Sequence, residues 1–190
     1  MTRAKEIGCV VMGLLVVSYA ASAMAAMEHK APMSEAEKIT SALSAAPTDI
    51  GTNATVMDWP AKEGAELSVL RKGGEVWTCL PDHPGTPGND PMCFDRPAME
   101  WAQAWMTKQQ PHLKQPGLGY MLQGGSDASN TDPFATKPAD GESWVNSPPH
   151  IMVFPSGELD MKMYGTEHVH GAPWVMFGGT PYAHLMIPVQ

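Results

Sequence analysis

Residues 66–95, ELSVLRKGGEVWTCLPDHPGTPGNDPMCFD, decide how this chain folds. Glu66–Arg71 and Glu75–Leu80 read as short strands, and Lys72-Gly73-Gly74 between them reads as a turn, which together predict a β-hairpin. From Pro81 to Pro91 the chain is almost all Pro, Gly, Asp and Asn, so it forms a stiff loop. Cys79 and Cys93 flank that loop. An even pair of cysteines closing a turn-rich loop reads as a disulfide in an oxidising compartment. Such a bond stabilises a loop of about fifteen residues by roughly 3 kcal/mol in the chain-entropy account. Its Cα atoms are expected about 4.4–6.8 Å apart. A reactive thiolate needs a neighbouring base or metal, and His83 is the only candidate inside the loop.

Upstream of this stretch, Ser34 with Glu37 forms a capping box, and Ile39, Ala42, Leu43 and Ala46 follow at helical spacing until Pro47 stops the helix. Ala54–Trp59 reads as a strand. Downstream, Asp95 caps a second helix with Pro97 in its first turn, and Ala98, Trp101, Ala102 and Trp105 share one face. Leu118–Gln123, Ile151–Phe154, Trp174–Phe177 and Tyr182–Val189 read as strands, and residues 124–149 as one long loop. All eighteen prolines lie beyond residue 25, which excludes long helices. The fold class is therefore α+β: a mostly antiparallel sheet with two or three helices, large Pro/Gly-rich loops and one disulfide.

The first twenty-five residues read as an export address. Arg3 and Lys5 precede the apolar run Gly8–Ala20, and Ala23-Met24-Ala25 supplies a small-x-small cleavage pattern. Thirteen residues at 1.5 Å rise reach only about 20 Å, short of the ~30 Å hydrocarbon core. The expected organisation is a secretory signal at 1–25, a flexible lead-in at 26–33 and a single globular domain at 34–190, placed in a bacterial periplasm or outside the cell. The chain carries a net charge of −8, with no basic run, which argues against nucleic acid and against anionic lipid as partners.

One pattern recurs near the C-terminus: His150-Ile-Met152, Met161-Lys-Met163, His168-Val-His170 and His184-Leu-Met186. Residues i and i+2 of a strand share a face, so each pair presents two donor side chains together. Imidazole with thioether is a soft ligand set suited to Cu(I). Ile151 and Val153, and Leu185 and Ile187, interleave with the donors and are expected to face a core. On paired strands, His150, Met152, His184 and Met186 then form one candidate metal cluster. Methionine also fills apolar gaps, and the fifteen methionines of this chain are spread along its length, so a plain core role competes with the metal.

Gly124-Gly125-Ser126-Asp127 echoes a nucleophile elbow without its last glycine. A small hydrolase or lyase with His150 or His184 as general base near Asp127 is the alternative to a binding protein, and Ser126, Asp160 and His184 occur in triad order. Asp127, Asn130 and Asp132 offer oxygen ligands for calcium, off the EF-hand spacing. Six tryptophans raise a sugar-stacking surface, for which two or three must share a face. No phosphate-binding glycine loop, dinucleotide fingerprint, HExxH or CxxCH haem motif is present.

The segments WTCLPDHPGTPGNDPMCFD, GYMLQGGSDASNTDPFATKP, PHIMVF and GTPYAHLMIPV, between Trp77 and Val189, resemble a family of uncharacterised exported bacterial proteins. The resemblance implies export and one compact domain, and it supplies no activity or catalytic residues. Tyr164–Pro173, with His168 and His170, falls outside the family pattern. These readings converge on an exported, non-enzymatic binding protein, with copper as the most concrete ligand. Amino-terminal sequencing of protein recovered after secretion is expected to begin at Ala26.

Overall fold

The computed structural model describes residues 30–62, 64–167 and 171–189. The signal at 1–25, residues 26–29 of the lead-in, and His168 and His170 lie outside the described residues. The Ser34 side chain accepts the Glu37 N–H, and Glu37 reaches back to the Ser34 N–H, so the capping box forms and opens α1 (Glu35–Ser44). Such a cap is worth about 1 kcal/mol. Pro47 starts a second short helix, α2 (Thr48–Asn53). Ten strands follow: β1 (Ala54–Asp58), β2 (Ser68–Arg71), β3 (Gly74–Leu80), β4 (Met92–Asp95), β5 (Gly117–Met121), β6 (Gly125–Asp127), β7 (Val145–Ser147), β8 (His150–Phe154), β9 (Trp174–Met176) and β10 (His184–Pro188). The helix α3 (Arg96–Met106), capped by Asp95, lies between β4 and β5, and the short α4 (Met161–Tyr164) between β8 and β9.

Eight strands make one sheet in the order β2-β1-β3-β4-β5-β8-β10-β9, and β6 pairs with β7 apart from it. Every pairing is antiparallel except β1 with β3, so the fold is α+β with a mostly antiparallel sheet and four helices. The expected hairpin of residues 66–80 does not form. β1 inserts between β2 and β3, pairing antiparallel with one and parallel with the other. Its buried Ala54 and Val56 gain cover on both sides that way, and the Gly73 link runs so close to the Ala54 carbonyl that a Cβ there would collide.

Each face of the sheet carries its own core. One holds Cys79, Cys93, Ala54 and Val56 under α1 and α2, with Trp77 and Tyr120 packed beside them. The other holds Leu80, Phe94, Met121, Met152, Phe154, Trp174, Met176 and Met186, with Ala98, Trp101 and Ala102 of α3 against them. Cys79 and Cys93 are directly opposed in the β3–β4 ladder, fully buried and joined as a disulfide. Direct opposition brings their Cα atoms to 3.9 Å, closer than the spacing expected from sequence.

Gly119 of β5 faces Met152 and Phe94, and a Cβ there would stand 2.8 Å from the Met152 Cε and 2.8 Å from the Phe94 ring. Phe94 is buried and paired opposite Gly119, so it cannot retreat. Gly119→Ala is expected to destabilise the protein by about 1–3 kcal/mol through overpacking, read as a lowered midpoint in urea unfolding. An unchanged midpoint would show slack in this layer.

Candidate functional site

His150, Met152, His184 and Met186 lie on one face of the adjacent strands β8 and β10. The ladder pairs Met152 with Met186 and Pro188 with His150. Directly opposed residues on one face have Cβ atoms about 5 Å apart, which brings the two thioether side chains together. His150 and His184 stand at opposite ends of the pairing, four positions apart, or about 13 Å along the strands. The methionine pair is thus the shared centre, with one histidine flanking it at each end.

Both histidines fix their rings in the same way. The Nδ1–H of His150 donates to the Pro148 carbonyl at 2.7 Å, and that of His184 donates to the Tyr182 carbonyl at 3.0 Å. A carbonyl only accepts, so Nδ1 carries the proton in each bond, the arrangement that leaves Nε2 as the ligating atom of a metal-bound histidine. The His184 ring is enclosed by Phe154 (5.0 Å, stacked), Trp101 (5.1 Å) and Phe177 (5.5 Å). Burial pushes its pKa down to about 4, with His150 adding to the fall and the Tyr182 carbonyl opposing it.

The donor face, and not the aliphatic one, is the more deeply buried face of these strands, which corrects the sequence expectation for Ile151, Val153 and Ile187. All four donors are buried, at 5% exposure or less; of the aliphatic residues on the opposite face Leu185 is buried as expected, whereas Ile151, Val153 and Ile187 are only half-buried and Leu118 is exposed. Phe154 shares the donor face by strand alternation and must meet Phe94 and Trp101, so the aromatic carries His150 and Met152 inward with it.

A second cluster forms where the Pro/Gly loop meets the Gly-Gly-Ser-Asp segment. Ser126 is buried, accepts the Gly88 N–H at 2.8 Å and donates to Asp90 Oδ2 at 3.1 Å. Asp90 Oδ1 accepts the His83 N–H, Asp82 Oδ1 accepts the Asp90 N–H, and Lys30 closes the group with an ion pair to Asp82 Oδ2 at 2.6 Å and a bond to the Gly88 carbonyl. Burial, together with the hydrogen-bonded Asp82 carboxyl, pushes the Asp90 pKa up to about 6. Desolvation, then the nearby Asp90 charge, pushes Asp127 up to about 7. Sequence reading missed Asp82 and Asp90 because acids inside a Pro/Gly loop carry the ordinary signature of turns.

The remaining sequence candidates separate. Asp127 faces Asp90, Asn130 spends its amide on the Thr166 carbonyl and the Trp174 indole, and Asp132 accepts the Phe134 N–H of its own turn, so the three do not converge as a calcium set. Among the described residues, no group of three or more His, Cys, Asp or Glu is placed to hold a metal ion. Ser126 is committed to Asp90, Asp160 caps α4 and His184 bonds its own strand, so the triad order has no spatial counterpart. His150 does approach the Gly-Gly-Ser-Asp segment, with its Cε1 3.7 Å from where a Gly125 Cβ would stand, but it is fully buried there. Trp101 and Trp174 are core residues, Trp105 stacks on Trp101, Trp77 packs on Tyr120 and Trp59 on His83, which leaves no shared sugar platform among them. Among the described residues, no helix is long and apolar enough to cross a membrane.

Comparison with protein-family models, with curated proteins and with solved structures finds no match to this chain.

The His184 imidazole sets the direction of one pH effect. Its pKa falls from 6.5 in the unfolded chain to about 4 in the fold, so the unfolded state binds more protons between those values. The stability it contributes is whole above about pH 6.5 and is lost as pH falls through 4, about 3 kcal/mol in all. Urea unfolding at pH 7 and pH 4 is expected to show a larger acid loss in the unaltered protein than in His184→Phe. Equal losses would refute a neutral buried imidazole.

Proposed function

We propose that the protein is an exported, non-enzymatic binding protein and that its ligand is a soft metal ion, Cu(I), held at the β8–β10 seam. The observation that carries this reading is the cross-strand opposition of Met152 and Met186, flanked on the same face by His184 and His150. Thioether and neutral imidazole are ligands that prefer Cu(I) to hard cations. The Tyr182 carbonyl holds the His184 ring by Nδ1, which directs Nε2 to ligation. Each histidine completes the methionine pair from its own end, so an ion there takes two thioethers and one imidazole.

Export is supported by the basic and apolar leader with its Ala23-Met24-Ala25 pattern, by the Cys79–Cys93 bond, which persists in oxidising compartments, and by the family resemblance of residues 77–189. A non-enzymatic role is supported by the engagement of Ser126 and by the burial of both histidines.

Titration of the purified, disulfide-intact protein with Cu(I) against a competing chelator tests the proposal. Met152→Leu with Met186→Leu conserves volume and hence the fold, and is expected to weaken binding by a factor of about ten or more. Unchanged affinity in that double variant, or no uptake by the unaltered protein, would mean that the seam is hydrophobic core and nothing else.

A further inference from the structure

We infer that the seam takes two soft ions and not one, with Met121 and Met176 as further thioether ligands that give each histidine a site of its own. The inference rests on the Cu(I) reading above and adds to it a stoichiometry and two residues. Neither methionine belongs to a His-x-Met segment, so the sequence pattern marks neither. The pairing of the sheet supplies both. Met121 of β5 stands directly opposite His150 of β8, and Met176 of β9 directly opposite His184 of β10. With the central pair of Met152 and Met186, the donor face carries four thioethers and two imidazoles across four adjacent strands. All six side chains are buried, at 7% exposure or less.

The spacing of the donors separates one ion from two. An ion that takes Met152 and Met186 together is completed by one histidine only, because the two stand four positions apart along the pairing. The other histidine is then left without an ion. Divided by strand, the same face gives two equal sets: Met121, His150 and Met152 on β5 and β8, and Met176, His184 and Met186 on β9 and β10. Each set has two thioethers and one imidazole. Within it, one methionine faces the histidine across the ladder, with Cβ atoms about 5 Å apart, and the other lies two residues along the strand, about 7 Å away. The centres of the two sets lie roughly 12 Å apart by strand spacing and rise, so neither ion competes for the other's donors. The first set is closed by Gly125 of β6. A Cβ there would stand 2.9 Å from the Met121 Cε, 3.8 Å from its Sδ and 3.7 Å from the His150 Cε1, the carbon bonded to Nε2. Thioether and imidazole therefore meet beneath Gly125, whose lack of a side chain leaves them the space. The second set is closed by the rings around His184 and by Trp174, which stands opposite Met186.

Cu(I), supplied as its acetonitrile complex under nitrogen so that the disulfide stays intact, is titrated into the purified protein against a competing chelator, and native mass spectrometry counts the ions on each chain. Two are expected. Met121→Leu and Met176→Leu conserve side-chain volume, and each is expected to lower the count to one. Nitrogen NMR of the imidazoles tells which site is lost. Both His150 and His184 should shift when the unaltered protein is filled, His184 alone in Met121→Leu, and His150 alone in Met176→Leu. The count and the two histidine signals of the unaltered protein need no substitution, so they decide the matter even where a variant fails to fold. A single ion at saturation overturns the inference and leaves the Cu(I) reading standing. Two ions held at unchanged affinity in either variant also overturn it, because that thioether is then no ligand. No uptake at all ends both.

Discussion

The pleat of β8 is the constraint on which the larger half of the sheet depends. Phe154 is fully buried and meets Phe94 at 5.7 Å, Trp101 at 4.5 Å and His184 at 5.0 Å, so its side of the strand has to be the inner one. A period of two then commits Met152 and His150 to the same side. Because β8 lies between β5 and β10, the commitment passes sideways: Gly119 is left facing Met152, and Met186 is brought opposite it. A slip of one residue at the β5–β8 pairing would turn Ile151 and Val153 inward, and one at the β8–β10 pairing would turn His184 and Met186 away from His150 and Met152. The soft donors are inside because an aromatic neighbour is inside.

That origin shapes what the seam can do. On the proposed reading, an ion reaching Met152 and Met186 would have to enter between a sheet and the aromatic side chains packed on it, including Trp101 and Trp174. β10 has only the three-residue strand β9 between it and the sheet edge, and edge elements with few ladder bonds open at the smallest cost. Entry from the β9 side would therefore disturb less of the structure than entry through α3.

The loops obey a different rule. Backbone groups withdrawn from water need partners, and in segments without a ladder the partners are side chains. Asp82 and Asp90 accept backbone N–H groups within the loop 81–91, and Asn130 ties the Trp174 indole to the Thr166 carbonyl while its own carbonyl accepts the Phe177 N–H. Burying carboxylates for this purpose is costly. Lys30 offsets part of that cost at Asp82, and the Ser126 hydroxyl and His83 N–H offset part of it at Asp90.

The sequence by itself determined whatever rests on near neighbours. Ser34 with Glu37, and Asp95 with Pro97, mark helix starts because caps are made within one turn; the Pro/Gly spacing between Cys79 and Cys93 marks the disulfide because it leaves the loop no other course. The strands of the C-terminal half were legible from their short apolar runs, and so was the shared face of His150 with Met152 and of His184 with Met186, since pleating is local. Tertiary structure alone decided the rest. The insertion of β1 between β2 and β3 depends on competition for a partner, and the β6–β7 pairing inside residues 124–149 depends on contact between segments too short and polar to show a period. Which face of β8 is the inner one was set by the volume of Phe154 against α3, a comparison no alternation pattern contains. The meeting of Asp82, Asp90, Ser126, Asp127 and Lys30 has no local signal, because hydrogen bonds and charges between distant segments leave no periodicity in the chain that makes them.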